Sequence, residues 1–354
     1  MRLITLLVLL PVVLTASDLN PRILQAGVAV FDDAVQRDDL KGAVLFVSLD
    51  GETVLHEAVG WADPESQRKL EKDAVFRMAS NTKAVVAAAV LMLQDEGKLS
   101  VHDPVRKHLE GWDNYRAGRI TIHQLLTHTS GLRIETLFLE PLLEHTSLGK
   151  EAERFGEIGA EREPGTSFSY NNPGYNTLGA IVEAVSGQLL ADFLRERIYL
   201  PLGMKDTSNH ESVANHDRMS ALYRLSDGKW KRGWSPGDPP DYPFVRASGG
   251  MISTASDFAR FGAMILNEGE WKGKRLLSKE AVETMTAVHW KDADESYGYG
   301  WHVDEDGVFS HGGSDGTWAW VDPNRGIVGL VFTQSPGGKI PATQFKLLVE
   351  AAAH

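Results

Sequence analysis

Lys83 stands three residues after Ser80, at the mouth of "FRMASNTKAVVAAAVLMLQDEGKL", a run otherwise dominated by alanine, valine, leucine and methionine. Residues three apart on a helix share one face, about a turn apart, so this spacing points the Lys83 amine at the Ser80 hydroxyl. The first-turn amides and the positive end of the helix dipole favour negative charge near Ser80, as attack of a serine on a carbonyl requires. Burial among apolar neighbours disfavours the ammonium form and makes the lysine a better proton acceptor or relay. The same pair also reads as an N-cap serine with a lysine snorkelling out of its helix. Ser-x-x-Lys is weak by itself, recurring at Ser66/Lys69, Ser147/Lys150 and Ser226/Lys229. The first of these lies in a polar stretch, and the other two contain a glycine in a turn-like sequence. Only Ser80 opens a long apolar helix.

Two further constellations carry chemistry. "SFSYNNPGY" holds Tyr170 and Asn172, the only Tyr-x-Asn in the chain, just before a helix. A phenol near a cation can ionise and act as general base, and an asparagine can hold both a lysine and a substrate carbonyl. The alternative is that Asn172 caps its helix and Tyr170 packs. In "FSHGGSDGTWAW", His311 is expected on an exposed edge of a C-terminal sheet, titrating at roughly pH 6 to 7. Gly312 and Gly313 let the backbone approach a ligand, so an amide in Gly312-Gly313-Ser314 could face a carbonyl oxygen. The alternative there is a glycine-rich turn with a solvated histidine. "GGSDG" also matches a nucleophile elbow, but an elbow needs a helix after the serine. "TWAWVDPNRGIVGLVF" reads instead as two strands, and His354 is the only histidine beyond Ser314. No His-Glu-x-x-His occurs among the 12 histidines, so a zinc hydrolase has no support.

At 354 residues, 42% hydrophobic and 24% charged, the chain can bury a large core as one big domain or two intimate ones. A formal charge of −12 without a basic block argues against nucleic acid or an anionic membrane surface as the main partner. With no cysteine, disulfides, thiolate metal sites and cysteine nucleophiles are excluded. "MRLITLLVLLPVVLTASD" has a basic start, an apolar run and small residues at 15–17, the pattern of a signal peptide over residues 1–17. Its apolar run is shorter than the roughly 18 to 20 residues of a spanning helix, although a retained anchor is the alternative. Export to the periplasm or medium is expected, with the mature chain starting near Asp18 and no stable membrane span.

Asn20-Pro21 opens a first helix, and Asp50-Gly51 joins two β-rich runs as a hairpin. Helices follow from Ser80 to Gly97, at Asp103-Pro104, from the Thr121 cap, and from Asn172 as cap to Gly187. A long ordered loop or linker is expected over about 206–245, and then two helices, several strands and a closing helix from about Pro341. The expected fold is α+β, an antiparallel sheet flanked by helices with an inserted mostly helical region. In residues 18–354 the sheet layer takes about 22–78 and 244–354, and the helical region about 79–243. A cleft between the two parts is the natural place for a site.

With Ser80-x-x-Lys83, Tyr170-x-Asn172 and His311-Gly312-Gly313 in this order, the sequence resembles the serine hydrolases related to class C β-lactamases, D-Ala-D-Ala peptidases and the esterases that share their fold. "EGKLSVHDPV", "ITIHQLLTHTSGL", "PLGMKDT", "ASGGMISTASDFARFGAMILNEG" and "YGYGW" extend the likeness over roughly residues 24 to 335. The resemblance implies a β-lactamase/transpeptidase-like fold and no cofactor or metal. It makes Ser80 the acylated nucleophile, Lys83 its proton partner, Tyr170 the general base and Asn172 a positioner of substrate and lysine. It also places backbone N–H groups of Ser80 and Ser314 in an oxyanion hole. The expected partner is a small ester, peptide or lactam. No Lys-Thr-Gly or Lys-Ser-Gly occurs, and His311 supplies no permanent charge in that place. An esterase-like activity is therefore expected ahead of a D-Ala-D-Ala carboxypeptidase or weak β-lactamase. A catalytically silent binding protein on the same scaffold is the non-enzyme alternative.

Overall fold

Asn20 accepts from the Arg22 N–H and Pro21 takes the first helical position, so the chain enters its first helix, Pro21–Gln36, at the expected cap. In the computed structural model, which describes residues 19–133, 146–213 and 216–353, the hairpin follows directly. Asp50 and Gly51 both hold positive φ, 49° and 83°, and turn Gly42–Leu49 back along Glu52–Asp63. Left-handed geometry at both central residues matches the right-handed twist of the strands, which is why Asp-Gly works here.

Gly42–Leu49 is an interior strand. Its other edge pairs antiparallel with Ile327–Thr333, in register from Ala43 opposite Thr333 to Leu49 opposite Ile327. The resulting nine-stranded antiparallel sheet runs, in spatial order, Trp290–Lys291, Ser296–Tyr297, His302–Val303, Phe309–Gly312, Thr317–Asp322, Ile327–Thr333, Gly42–Leu49, Glu52–Asp63 and Arg68–Lys69. Both ends of the chain thus build one layer, and the architecture is α+β as expected.

One sheet face is covered by Pro21–Gln36 and Ala342–Ala352, where Phe31 meets Phe345 edge to face at 5.8 Å. Trp320 lies across that face, opposite Gly329 in the register, and a Cβ at 329 would overlap its indole. The other face packs against Ala255–Leu266 and, beyond it, the helical region. There every residue from Thr82 to Leu93 is buried, so Thr82–Asp95 is a core helix with no polar face, surrounded by Asn172–Ser186 and Lys279–Thr286. Thr121 caps Ile122–Leu126 in a reciprocal capping box with Gln124.

The structure corrects several local readings. Ser147/Lys150 is not a turn: Ser147 caps the helix Leu148–Ile158 by accepting from the Lys150 N–H, and Lys150 Nζ reaches Glu153 at 2.6 Å. Asp103-Pro104 precedes only a 3-10 turn, Val105–Lys107, with no side-chain cap. The 206–245 segment is not wholly loop, because Tyr223–Ser226 and Lys229–Arg232 form a hairpin about Asp227-Gly228. The segment expected to direct export, residues 1–17, and His354 lie outside the described residues. Among the described residues no single helix is long and apolar enough to cross a membrane.

Candidate active site

The segment that carries Ser80 is held from both sides before it becomes helical. Phe76–Arg77 pairs with Ile252–Ser253, Ala79 adopts a left-handed φ of 45°, and a 3-10 turn at Ala79–Asn81 leads straight into Thr82–Asp95. A non-glycine residue in that region is strained, and surrounding contacts must hold it there. Thr317 Oγ1 and the Met251 N–H supply some of them, donating to Met78 O and to Thr82 Oγ1. Ser80 is left half-buried one turn below Lys83.

Lys83 is fully buried, and its Nζ lies 3.1 Å from Ser80 Oγ, 2.9 Å from Asn172 Oδ1 and 2.8 Å from Ser248 O. Burial pushes the amine well below the usual lysine range, and the neighbouring Arg246 charge pushes it further the same way. No carboxylate is among its partners. A neutral amine has two N–H donors and one lone pair, whereas the two carbonyl oxygens can only accept. The donors therefore go to Asn172 and Ser248, and the lone pair faces the Ser80 hydroxyl. This is the arrangement of a base that receives the Ser80 proton, and the snorkelling alternative fails because Nζ points inward.

Asn171, not Asn172, caps the following helix, accepting from the Gly174 N–H at 2.8 Å. Asn172 is displaced to the first helical position, which frees its side chain for Lys83. Tyr170 stacks beside them with Lys83 Nζ 4.7 Å from its ring centroid. The expected ionised phenol is not supported. Burial pushes the Tyr170 hydroxyl well above its ordinary value, and its contact with the Ser80 side chain offsets only part of this. Tyr170 is thus a neutral phenol next to the Ser80 hydroxyl.

His311 is also placed differently from expectation. It is 2% exposed, not at an open edge. Its Nδ1 lies 2.8 Å from Gly312 O, which can only accept, so Nδ1 carries the proton and Nε2 accepts from the Tyr297 hydroxyl at 3.2 Å. Burial, Lys83 and His302 all hold this ring well below the ordinary histidine value. With both ring nitrogens engaged inside the protein, it shapes the turn that follows. In that turn Gly313 lies against the nucleophile segment so closely that a Cβ would stand 2.5 Å from Met78 O. Gly312 and Ser314 are exposed. Neither the Ser80 nor the Ser314 backbone N–H donates to another group among the described residues, so both are available to an oxyanion.

Four participants escaped the sequence reading. Ser248 O, from "RASGG", accepts from Lys83. His128, in "LLTHTSG", accepts the Asn171 N–H on Nδ1 at 3.2 Å, and its backbone oxygen takes the Ser169 N–H at 2.8 Å. Its ring lies 4.3 Å from that of Tyr170, so it sets the segment that carries Tyr170 and Asn172. Arg77 gathers Asp315, Glu211 and Asp241, and Arg246 sets its charge against Lys83. The conspicuous "LLTHTSG" was the available signal for His128; nothing local marked Ser248.

Fold and site together define a hydrolase of the β-lactamase fold. The sequence matches the Beta-lactamase family over residues 28–353, and the chain belongs to that family. It is 30% identical over 331 residues to penicillin-binding protein 4 of Amycolatopsis lactamdurans, spanning 86% of this chain and 83% of that protein. It is 34% identical over 222 residues to esterase EstB of Burkholderia gladioli, spanning 56% of each. The solved structure of EstCE1, described as a hydrolase with promiscuous acyltransferase activity, superposes with a TM-score of 0.82 at 19% identity. It covers 96% of this chain and all of that one, a likeness of fold.

Proposed function

We propose that the protein is an exported serine hydrolase that works through an acyl-enzyme on Ser80, with esters as its preferred substrates. The observation that carries this reading is the buried Lys83 amine, held by two carbonyl oxygens and facing Ser80 Oγ at 3.1 Å. Ser80 Oγ attacks the substrate carbonyl carbon and its proton passes to Lys83, while the Ser80 and Ser314 N–H groups hold the oxyanion. Collapse breaks the bond to the leaving group, which takes the proton from Lys83 by way of the Tyr170 hydroxyl. Water then attacks the acyl carbon, Lys83 takes its proton, and that proton returns to Ser80 Oγ as the acid departs. Asn172 positions Lys83 and the substrate, and His311 with Gly312 and Gly313 shapes the wall that carries Ser314.

The likeness to penicillin-binding protein 4 favours a second reading, a D-Ala-D-Ala carboxypeptidase or weak β-lactamase using the same residues. The test is turnover of a p-nitrophenyl ester, the chromogenic cephalosporin nitrocefin and a D-Ala-D-Ala peptide, with Ser80→Ala as blank. Ester turnover that vanishes in the blank supports the first reading, and peptide or nitrocefin turnover the second. Unchanged activity in Ser80→Ala overturns both. A fluorophosphonate probe should label wild type and not Ser80→Ala, whereas a silent binding protein would be labelled in neither.

A further inference from the structure

The Ser80 and Ser314 N–H groups belong to segments far apart in the chain, and one buried side chain joins them. Thr317 opens the strand Thr317–Asp322. Its carbonyl oxygen accepts from the Gly313 N–H at 2.6 Å, which closes the turn that carries Ser314. Its hydroxyl crosses to the other segment, donating to Met78 O at 3.1 Å and accepting from Asn81 Nδ2 at 3.0 Å. A carbonyl only accepts and an amide NH2 only donates, so the single hydroxyl hydrogen goes to Met78 O. Met78 stands two residues before Ser80 and Asn81 one after, so the hydroxyl holds the Ser80 peptide from both sides. The fit leaves no slack, since a Cβ on Gly313 would stand 2.3 Å from Thr317 Oγ1. Asn81 gives up its local role to make this contact. It is the N-cap of Thr82–Asp95, where an asparagine oxygen ordinarily accepts from the first helical amides, yet it makes no cap bond. Its Nδ2 turns to Thr317 and, at 3.3 Å, to Met78 O, and its buried Oδ1 has no partner among the described residues. An unpaired buried oxygen costs stability, so what the asparagine supplies here is the donor.

We propose that Thr317 is a positioning residue for this reaction, and that its hydroxyl, with Asn81, sets the separation and direction of the Ser80 and Ser314 N–H groups. The inference rests on the Ser80 acyl-enzyme reading and goes beyond it by naming what aligns the oxyanion hole. Both side chains are buried, so they act through the backbone and not on the substrate. Two donors stabilise an oxyanion only when both point at the place where charge develops, and a pair already aligned needs no rearrangement at that moment. Ala79, held at a left-handed φ of 45° between Met78 and Ser80, is the joint that relaxes if the hydroxyl lets go of Met78 O. Relaxation there turns the Ser80 N–H directly, because the peptide to which it belongs begins at the Ala79 carbonyl.

The test measures neutral-ester turnover in Thr317→Val, Thr317→Ser and Asn81→Ala. Rates are expressed per site labelled to completion by a fluorophosphonate, so that loss of folded protein does not count as loss of rate. Thr317→Val keeps the shape and removes the hydroxyl: kcat should fall roughly ten- to hundredfold with KM within about threefold of wild type, and Thr317→Ser should restore most of the loss. Phenylboronic acid forms a tetrahedral adduct with a serine and places an oxygen where the oxyanion develops. Its affinity should fall in Thr317→Val by about the same factor as kcat/KM. A purely structural role would lower stability and the number of labelled sites while leaving kcat per site and boronate affinity unchanged, and that result overturns the proposal. Asn81→Ala removes the other half of the contact, so kcat should fall there too. The double variant Thr317→Val/Asn81→Ala should then lose less than the product of the two single losses, and losses that multiply would overturn the joint role. Neutral-ester hydrolysis surviving in Ser80→Ala would instead overturn the acyl-enzyme reading itself.

Discussion

Arg77 Nε and Asp315 Oδ2, 3.1 Å apart, tie the segment three residues before Ser80 to the residue immediately after Ser314. Both side chains are at most a tenth exposed, so the pair is poorly screened. Burial pushes the Asp315 carboxyl up, and Arg77, with Arg246 and Arg224 behind it, offsets only part of that. Arg77→Met would leave Asp315 and Glu211 buried without their nearest cation. A loss of about 3 to 5 kcal/mol in unfolding free energy is expected by denaturant titration. The double variant Arg77→Met/Asp315→Asn should recover part of it, and a loss in the double equal to the sum of the singles would count against the tie.

Lys83 must be neutral to accept the Ser80 proton, so kcat/KM on a neutral ester should rise with pH and level off well below the ordinary lysine range. Lys83 is faced by Tyr170, Tyr175, His128, His311 and Arg246, and Arg246 is the permanent cation among them. Removing it in Arg246→Gln should move the acid limb to higher pH. A limb that stays put, or moves down, is the contrary result.

The same burial links Lys83 to stability. Its folded value lies below the unfolded one, so between the two the unfolded chain binds the extra proton and stability rises with pH. The unfolding free energy of wild type minus that of Lys83→Met should therefore increase from neutral pH towards about 10, the unfolded lysine value. Parallel curves for the two proteins would show that Lys83 is not depressed.

Burial holds the His311 ring well below the ordinary histidine value, so His311→Asn should lower kcat by loosening Gly312 without moving the acid limb of the pH profile. A limb near pH 6.5 that disappears in this variant would mean that the ring titrates after all.

His128→Phe keeps the aromatic packing but removes the acceptor of the Asn171 N–H. With a buried donor orphaned, about 1 to 3 kcal/mol of stability should be lost. Turnover should fall through kcat more than through KM, because Tyr170 and Asn172 shift while the cleft walls stay. A change in KM alone would place His128 in substrate binding instead.

Much of this was legible in the residues. The Asn20 and Thr121 caps and the Asp50-Gly51 turn are local signals whose partners lie within a few positions, and each appears where its chemistry demands. Ser80 and Lys83 were also readable, because one helical turn joins them. What escaped was set by tertiary packing. A histidine before two glycines gave no hint of burial, since the Tyr297 and Gly312 groups that satisfy it come from elsewhere in the sheet and from its own turn. Of the two adjacent asparagines before Pro173 the reading took Asn172 as the cap, one position late, because nothing local shows that Asn172 turns to Lys83 and leaves the cap to Asn171. Arg246 and Ser248 sit in a turn whose importance lies in what it faces.

The pairing of Gly42–Leu49 with Ile327–Thr333 bears on how the enzyme is born. "GAVLFVSL" leaves the ribosome long before the strand that covers its open edge is made. Throughout synthesis this apolar, β-prone ribbon has one unpaired side, a template for pairing between nascent chains. Long-range strand pairing of this kind is slow to form. A chain cut anywhere between Lys83 and Ile327 carries Ser80 and Lys83 but lacks the strand that joins the two halves of the sheet. Catalytic competence should thus arrive all at once and late, and premature termination should yield aggregates rather than weakly active fragments.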